Sequence, residues 1–313
     1  MPLRRKDTIA VPRPSVARRI RKSLPYYVMM LIPLAYLLIF RYYPMLGIQI
    51  AFKKYKAKLG IWGSPWVGMK YFQDFFSSAM AGTIIRNTFV LSIYYLAASF
   101  PFPIILAIAL NECKSKRFQK VTQMVTYMPY FISTVVLVSM ILQFTDISSG
   151  IVNQMITRLG GKPVNFMGTV SYFRSLYVWT GVWQSMGYSA IVYLAALTGV
   201  PQELYEAAKV DGASKLRRIF SIDIPYIAPT ILTLFILNTG SILSIGFEKI
   251  YLMQNNINTP VSEVISTYVY KMGVQNGNFS FSTAVGLFNS LVNLFMLLVV
   301  NTISKRVTDV SVL

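Results

Sequence analysis

The chain has no histidine, which removes the commonest catalytic base, the commonest metal ligand and the commonest proton relay from any reading of it. It has one cysteine, Cys113, so no internal disulfide can form. Acids are scarce: Asp and Glu together number 11 in 313 residues, and none lies in the middle of an apolar run. Glu248 comes nearest, at the end of a run and beside Lys249. Proton- or sodium-coupled carriers use ionisable groups at mid-membrane depth, and here that mode of coupling has little to work with. No Gly-rich phosphate loop ending in Lys-Ser/Thr occurs. His-Glu-x-x-His, paired intramembrane aspartates and Gly-x-Ser-x-Gly are also absent, so an intramembrane enzyme is the weaker reading.

What is present is apolar. Hydrophobic residues make up 54% of the chain and charged residues 13%, a balance that belongs to the membrane class and needs lipid as solvent. The net charge of +19 raises the question of nucleic acid. The basic residues, however, sit in short segments flanking apolar runs rather than along one groove-sized patch, so no nucleic-acid partner is expected. Between Lys53 and Lys70, basic side chains alternate with Trp62 and Trp66, a mixture that suits lipid headgroups.

The expected fold is an all-α integral membrane protein of about six transmembrane helices, each ~20 residues across a ~30 Å hydrocarbon layer. The spans are placed at about 26–48, 87–110, 121–144, 175–200, 226–247 and 281–302. Pro101 and Pro103 interrupt the second, and Pro129 kinks the third. The first could pass for a signal peptide, but no small-x-small cleavage pattern follows it. Together the spans form one membrane domain over 25–304, between a basic tail at 1–24 and a short tail at 305–313. Short helices are expected near 150–159 and 261–272, in loops between spans. Basic residues number eight in 1–24, four in 111–120, four in 201–225 and two at Lys305 and Arg306, against three in 145–174 and one in 251–280. That asymmetry places both termini and the 201–225 loop in the cytoplasm; the lysines near 53–58 dissent and are outvoted.

The 201–225 loop reads as two short helices. Pro201 opens the first, Glu203 and Glu206 sit near its positive dipole end, and Gly212 stops it with positive φ. A Cβ at Gly212 is expected both to strain the backbone and to crowd a close-packed turn. Asp211 or Ser214 caps the second helix, whose face carries Leu216, Ile219 and Phe220, and Pro225 and Pro229 end or kink it. Glu206-Ala207-Ala208, three residues, Gly212, nine residues, Ile222, two residues, Pro225 resembles the Glu-Ala-Ala loop of ABC-importer permeases at every anchor, with Ile224 where that loop usually has Leu. Ile61 to Gly68, Asn165 to Gly168, Gly246 to Lys249 and Ala284 to Ser290 extend the resemblance from about residue 24 onwards. They are similar to relatives of the maltose-importer membrane subunits, including permeases associated with alginate and pectin fragments.

That resemblance implies a bacterial inner-membrane permease that forms the path for an oligosaccharide. It implies a second permease, identical or merely similar, two ATP-binding subunits inside and a solute-binding protein outside. The chain itself would hold no cofactor, with ATP and Mg on the partner subunits, and would not be an enzyme. Glu203, Glu206, Ala207, Ala208, Asp211, Gly212, Ile222 and Pro225 would couple to the ATPase. The alternative from another class is a self-contained secondary carrier or channel. Candidate residues of the path are Trp179, Trp183, Gln184 and Tyr188 on span four, Asn238 and Ser241 on span five, and Asn289 and Asn293 on span six. Aromatic faces and amides at helical spacing suit an uncharged or weakly charged glycan; the same residues also serve as helix-helix packing.

Overall fold

The computed structural model of the chain describes residues 16–308. Residues 1–15 of the basic tail and 309–313 of the other tail lie outside it. The described residues are almost wholly helical, with one isolated bridge between Lys53 and Trp66. Helix α1, Val16–Leu37, runs on through a π turn, Leu38–Tyr42, and a 3-10 run, Tyr43–Phe52. It stands away from the rest, with Met29 72% and Ile32 75% exposed, as a helix does when lipid or another subunit covers it. Only its far end is fixed, where Ala51 packs with Phe72 and Ala284.

The prolines expected to interrupt span two break its helix at Phe100 without ending the span. Helices α2, Ala81–Ser99, and α3, Pro101–Asn111, join end to end, because Pro101 takes the first-turn position where its missing N–H has no partner to lose. Ala81–Asn111 is thus one span of 31 residues. Pro129 does more than kink. Helix α4, Lys116–Tyr127, gives way to a 3-10 turn, Met128–Phe131, and α5, Thr134–Phe144, departs at 98°. The Ser133 hydroxyl accepts the Val136 N–H at 3.4 Å and starts that new helix.

Helix α6, Ile151–Arg158, lies where a short helix was expected, and α7, Val170–Leu197, follows. After α8, Gln202–Val210, the second helix of the loop differs from the sequence reading. Helix α9, Lys215–Arg218, a π turn, Ile219–Asp223, and α10, Ile224–Gly240, form one continuous run of 26 residues. Pro225 therefore ends nothing; it sits in the first turn of α10, where the π turn has already released its ladder partner. The run stops at Gly240, short of 247. Then come α11, Phe247–Met253, α12, Ile265–Tyr270, and α13, Phe279–Thr308, which carries Lys305 and Arg306 within its last turn.

Four of these helices are long and apolar enough to cross a membrane, five if the bent α4–α5 pair is one span. Helix α7 has 28 residues, ~42 Å at 1.5 Å each, long enough but with a more polar sequence. It is the spine of the bundle. Phe173, Tyr177, Val178 and Val182 pack with Leu91 of α2, Leu137 of α5 and Ile250 of α11 in one core. Ala190, Tyr193 and Leu197 pack with Ala107 of α3 and Ile227 of α10 in another.

Helix α4 crosses α7 at Gly187, so closely that a Cβ there would fall 2.0 Å from the Thr126 carbonyl oxygen. Backbone cannot swing aside as a side chain can. Gly187→Ala should lose about 1–3 kcal/mol, as overpacking does, and lower the melting temperature in detergent. Gly82→Ala, with nothing within 4 Å, is the control and should melt like the parent. Equal melting of both variants would mean that α4 does not lie against α7.

Candidate functional site

Two cavities lie in line along α7. The first, of about 310 Å³, is bounded by Tyr177, Gly181 and Gln184, which share one face of α7 at i, i+4 and i+7. Ser92, Tyr95 and Ser99 of α2 line it too, with Asn238 of α10, Ser241 beside it and Lys249 of α11. Its size falls at the low end of the ~300–1,000 Å³ typical of ligand sites. The second, of about 390 Å³, shares Tyr95, Ser99 and Asn238 with the first and continues along α7 at Ser185, Tyr188 and Ser189. Tyr188 stacks on Tyr130, with centroids 3.9 Å apart and planes 4° from parallel. Hydroxyls, amides and tyrosine rings in both linings, set among apolar side chains such as Leu96 and Ile245 in the first and Phe100 and Leu234 in the second, are chemistry for polyhydroxylated ligands.

Of the residues proposed from sequence for a path, Gln184, Tyr188, Asn238 and Ser241 line these cavities. Trp179, Trp183, Asn289 and Asn293 do not. At ~100° per residue, Trp179 lies ~200° around α7 from Tyr177. Its indole N–H donates to the Tyr94 hydroxyl at 3.0 Å, and its ring meets Phe102 edge-on. Trp183 faces outward, 44% exposed. Asn293 is a brace: its carbonyl accepts the Leu243 N–H and its amide donates to the Ser244 hydroxyl, both at 3.0 Å. Asn289 is half-buried, its carbonyl oxygen without a partner.

Sequence reasoning missed Ser92, Tyr95, Ser99, Tyr130 and Lys249. The stripe Tyr177, Gly181, Gln184, Tyr188 was readable at helical spacing. Lys249 was seen as the neighbour of Glu248 and the end of the resembling segment from Gly246, and no periodicity marks it, because α11 is two turns long.

The other polar site is the loop at 201–225. Gly212 has φ of +70°, and the Ala213 and Gly212 N–H groups donate back to the Ala208 and Lys209 carbonyls at 2.8 and 3.1 Å, which closes α8 as expected. Ser214, not Asp211, caps α9, accepting the Arg217 N–H at 3.3 Å; Asp211 ends α8 instead. The expected crowding at Gly212 is not there, since a Cβ would meet nothing within 4 Å, so only the backbone conformation demands glycine.

The loop is tied to the bundle. The Tyr205 hydroxyl donates to the Asp223 carboxylate and accepts from the Asn111 amide at 3.5 Å. Burial first, and the bond to Asp223 second, push the Tyr205 phenol up to about 12, so it remains a donor at any physiological pH. Glu112, just past α3, pairs with Arg218 at 3.5 Å and Lys215 at 3.9 Å. Glu203, Glu206 and Ala207 are exposed, Ala208 and Ile222 half-buried, Pro225 exposed. Val210 at 88%, Leu216 at 68% and Phe220 at 67% add an apolar surface to this pinned and otherwise charged hairpin.

Residues 99–309 match the family model described as the binding-protein-dependent transport system inner membrane component. The chain is 42% identical over 280 residues to Protein LplB of Bacillus subtilis, covering 90% of this chain and 88% of that one. It is also 42% identical to the polygalacturonan/rhamnogalacturonan transport system permease protein YteP of the same organism, over 90% and 87% of the two chains. Among solved structures it is similar to a chain of a bacterial alginate ABC transporter in complex with an alginate pentasaccharide-bound periplasmic protein. There the TM-score is 0.88, with 37% identity over 95% of this chain and 99% of that one.

The bracing role of Asn293 and the cavity position of Asn238 separate by stability. Asn293→Leu leaves the Leu243 N–H buried without an acceptor and should lose about 1–3 kcal/mol. Asn238→Leu removes only a bond to the Leu234 carbonyl of its own helix and should lose about 0.6 kcal/mol. Thermal melting of the two purified variants should rank them in that order, and the reverse order would contradict the placement.

Proposed function

Since the chain belongs to the family of binding-protein-dependent transport system inner membrane components, we propose that it is the membrane-spanning permease subunit of an ABC importer that carries an oligosaccharide. The polygalacturonan and alginate systems among its relatives support the carbohydrate class. The hydroxyl, amide and tyrosine lining of the two cavities in line along α7 supports it from this chain's own residues. The solute would arrive on an external binding protein, as the alginate neighbour's complex suggests. Both termini and the 201–225 loop would face the cytoplasm. The driving ATP, with Mg, would be held by two separate subunits, and a second permease would complete the path and cover α1.

The observation that carries the reading is the hairpin at 201–225, rigidly pinned yet apolar at Val210, Leu216 and Phe220. A loop bathed only in water gains nothing from that surface; one seated in a groove of an ATPase does. Glu206 is exposed and makes no ion pair among the described residues, which leaves it free for a cation on that partner.

The test uses the whole transporter, purified from its native membrane and reconstituted. The chain alone should hydrolyse no ATP. Gly212→Val forces a branched side chain into positive φ at a cost of about 1–2 kcal/mol and should reduce ATPase co-purification or uncouple hydrolysis from uptake. Glu206→Lys should weaken co-purification more than Glu203→Lys does, while membrane insertion survives in all three. Wild-type co-purification and uptake in Gly212→Val and Glu206→Lys would reduce the loop to a connector, and the reading would fall with it.

A further inference from the structure

The first cavity holds one charged side chain. Lys249 is 8% exposed, and no Asp or Glu lines the cavity or pairs with its ammonium among the described residues. Its Nζ donates to the Tyr177 backbone carbonyl at 2.9 Å and sits 5.0 Å from the centre of the Tyr177 ring. An ammonium has three donors, so two remain for the cavity. Gly181 makes the approach possible, since a Cβ there would lie 3.2 Å from Nζ and 2.7 Å from the Tyr95 ring. Ser92, 2% exposed, lines the same cavity, and its hydroxyl has no hydrogen-bond partner among the described residues.

A buried ammonium without a counter-ion is held at a desolvation cost of several kcal/mol, and capping one helix carbonyl does not require it. A neutral amide would do that work. The sequence reading had expected an uncharged or weakly charged glycan; a cavity with a cation and no acid is built for the opposite. We propose that Lys249 is the specificity-determining residue of this cavity, binding the carboxylate of a uronic-acid-containing oligosaccharide, with Ser92 hydrogen-bonded to the same sugar. This rests on the carbohydrate-permease reading above. A carboxylate in the cavity would meet the two free ammonium donors and restore the solvation that Lys249 loses on burial. A neutral sugar of the same shape would gain nothing from the ammonium and be carried more slowly, with or without the lysine.

The experiment uses the complete transporter with its binding protein in proteoliposomes. The probes are trisaccharides of galacturonate and of mannuronate, together with their carboxyl-reduced neutral counterparts. The parent should take up at least one uronate trimer ten times faster than its reduced form. Lys249→Met should lower that uronate uptake tenfold or more and leave the neutral trimer within twofold. Lys249→Gln, which keeps a donor for the Tyr177 carbonyl, should assemble and show the same loss; Lys249→Arg should restore uptake. An equal fall for acidic and neutral sugars would assign Lys249 a structural role and overturn the proposal, as would unchanged uronate uptake in Lys249→Met and Lys249→Gln. Parental uptake of neutral trimers at the uronate rate would overturn it while leaving the carbohydrate reading intact. Uptake of no sugar by the parent would overturn both.

Discussion

Away from water, every backbone N–H and C=O needs a partner inside the protein, and a helix that breaks must find substitutes from elsewhere. This bundle breaks in several places, and at three of them a side chain from another helix meets the break. The corner between α4 and α5 frees the Ile132 carbonyl, and the Gln184 amide of α7 donates to it at 2.9 Å. The turn after α10 frees the Leu243 N–H, and Asn293 of α13 accepts it. The segment before α12 is held from α2: the Asn87 amide donates to the Pro260 carbonyl at 2.9 Å, and the Thr88 hydroxyl accepts the Ile265 N–H at 3.0 Å. Broken backbone in a membrane is tolerated where it is buried or lines a cavity. Here the corner at 132 and the turn at 241–246 border the cavity beside α7, so the same interruptions make the opening and determine which polar side chains are left to serve it.

That division explains what could be read from the sequence. The 201–225 loop was legible because its signals are local: a glycine whose φ must be positive, a serine one residue before a helix, acids in a first turn. Such features act over four or five residues, and tertiary context does not override them. The apolar runs were legible for the same reason. The cavity was not, because spacing says which residues share a face but not what that face meets. Trp179 and Gln184 are five apart, ~140° around the helix, and only Gln184 lines the cavity. Asn293 has the composition of a sugar ligand and is consumed in holding Leu243. Lys249 belongs to a helix too short to show a period, entered from a turn that hydropathy reads as the end of a span.

The two sites are joined by geometry rather than by a chain of weak contacts. Because α9, the π turn and α10 form one run, residues 215 and 238 are separated by 23 helical steps, ~35 Å of continuous helix. At one end Lys215 and Arg218 hold Glu112 at the foot of α3, and Asp223 holds Tyr205 of α8. At the other, Asn238 faces both cavities. A packed helix transmits displacement because its neighbours cannot compress. The weak point of such a lever is the π turn at Ile219–Asp223, where one looser loop of backbone could absorb motion before it reached Asn238. The Tyr205–Asp223 bond closes on the last residue of that turn and fastens it to α8. The Tyr205 hydroxyl keeps its proton at neutral pH, so the donor of this fastening is always in place there. If the hairpin is the docking element proposed above, a pull on it would reach the cavity as a movement of α10 as a whole, because the two sites lie at the ends of one helical run.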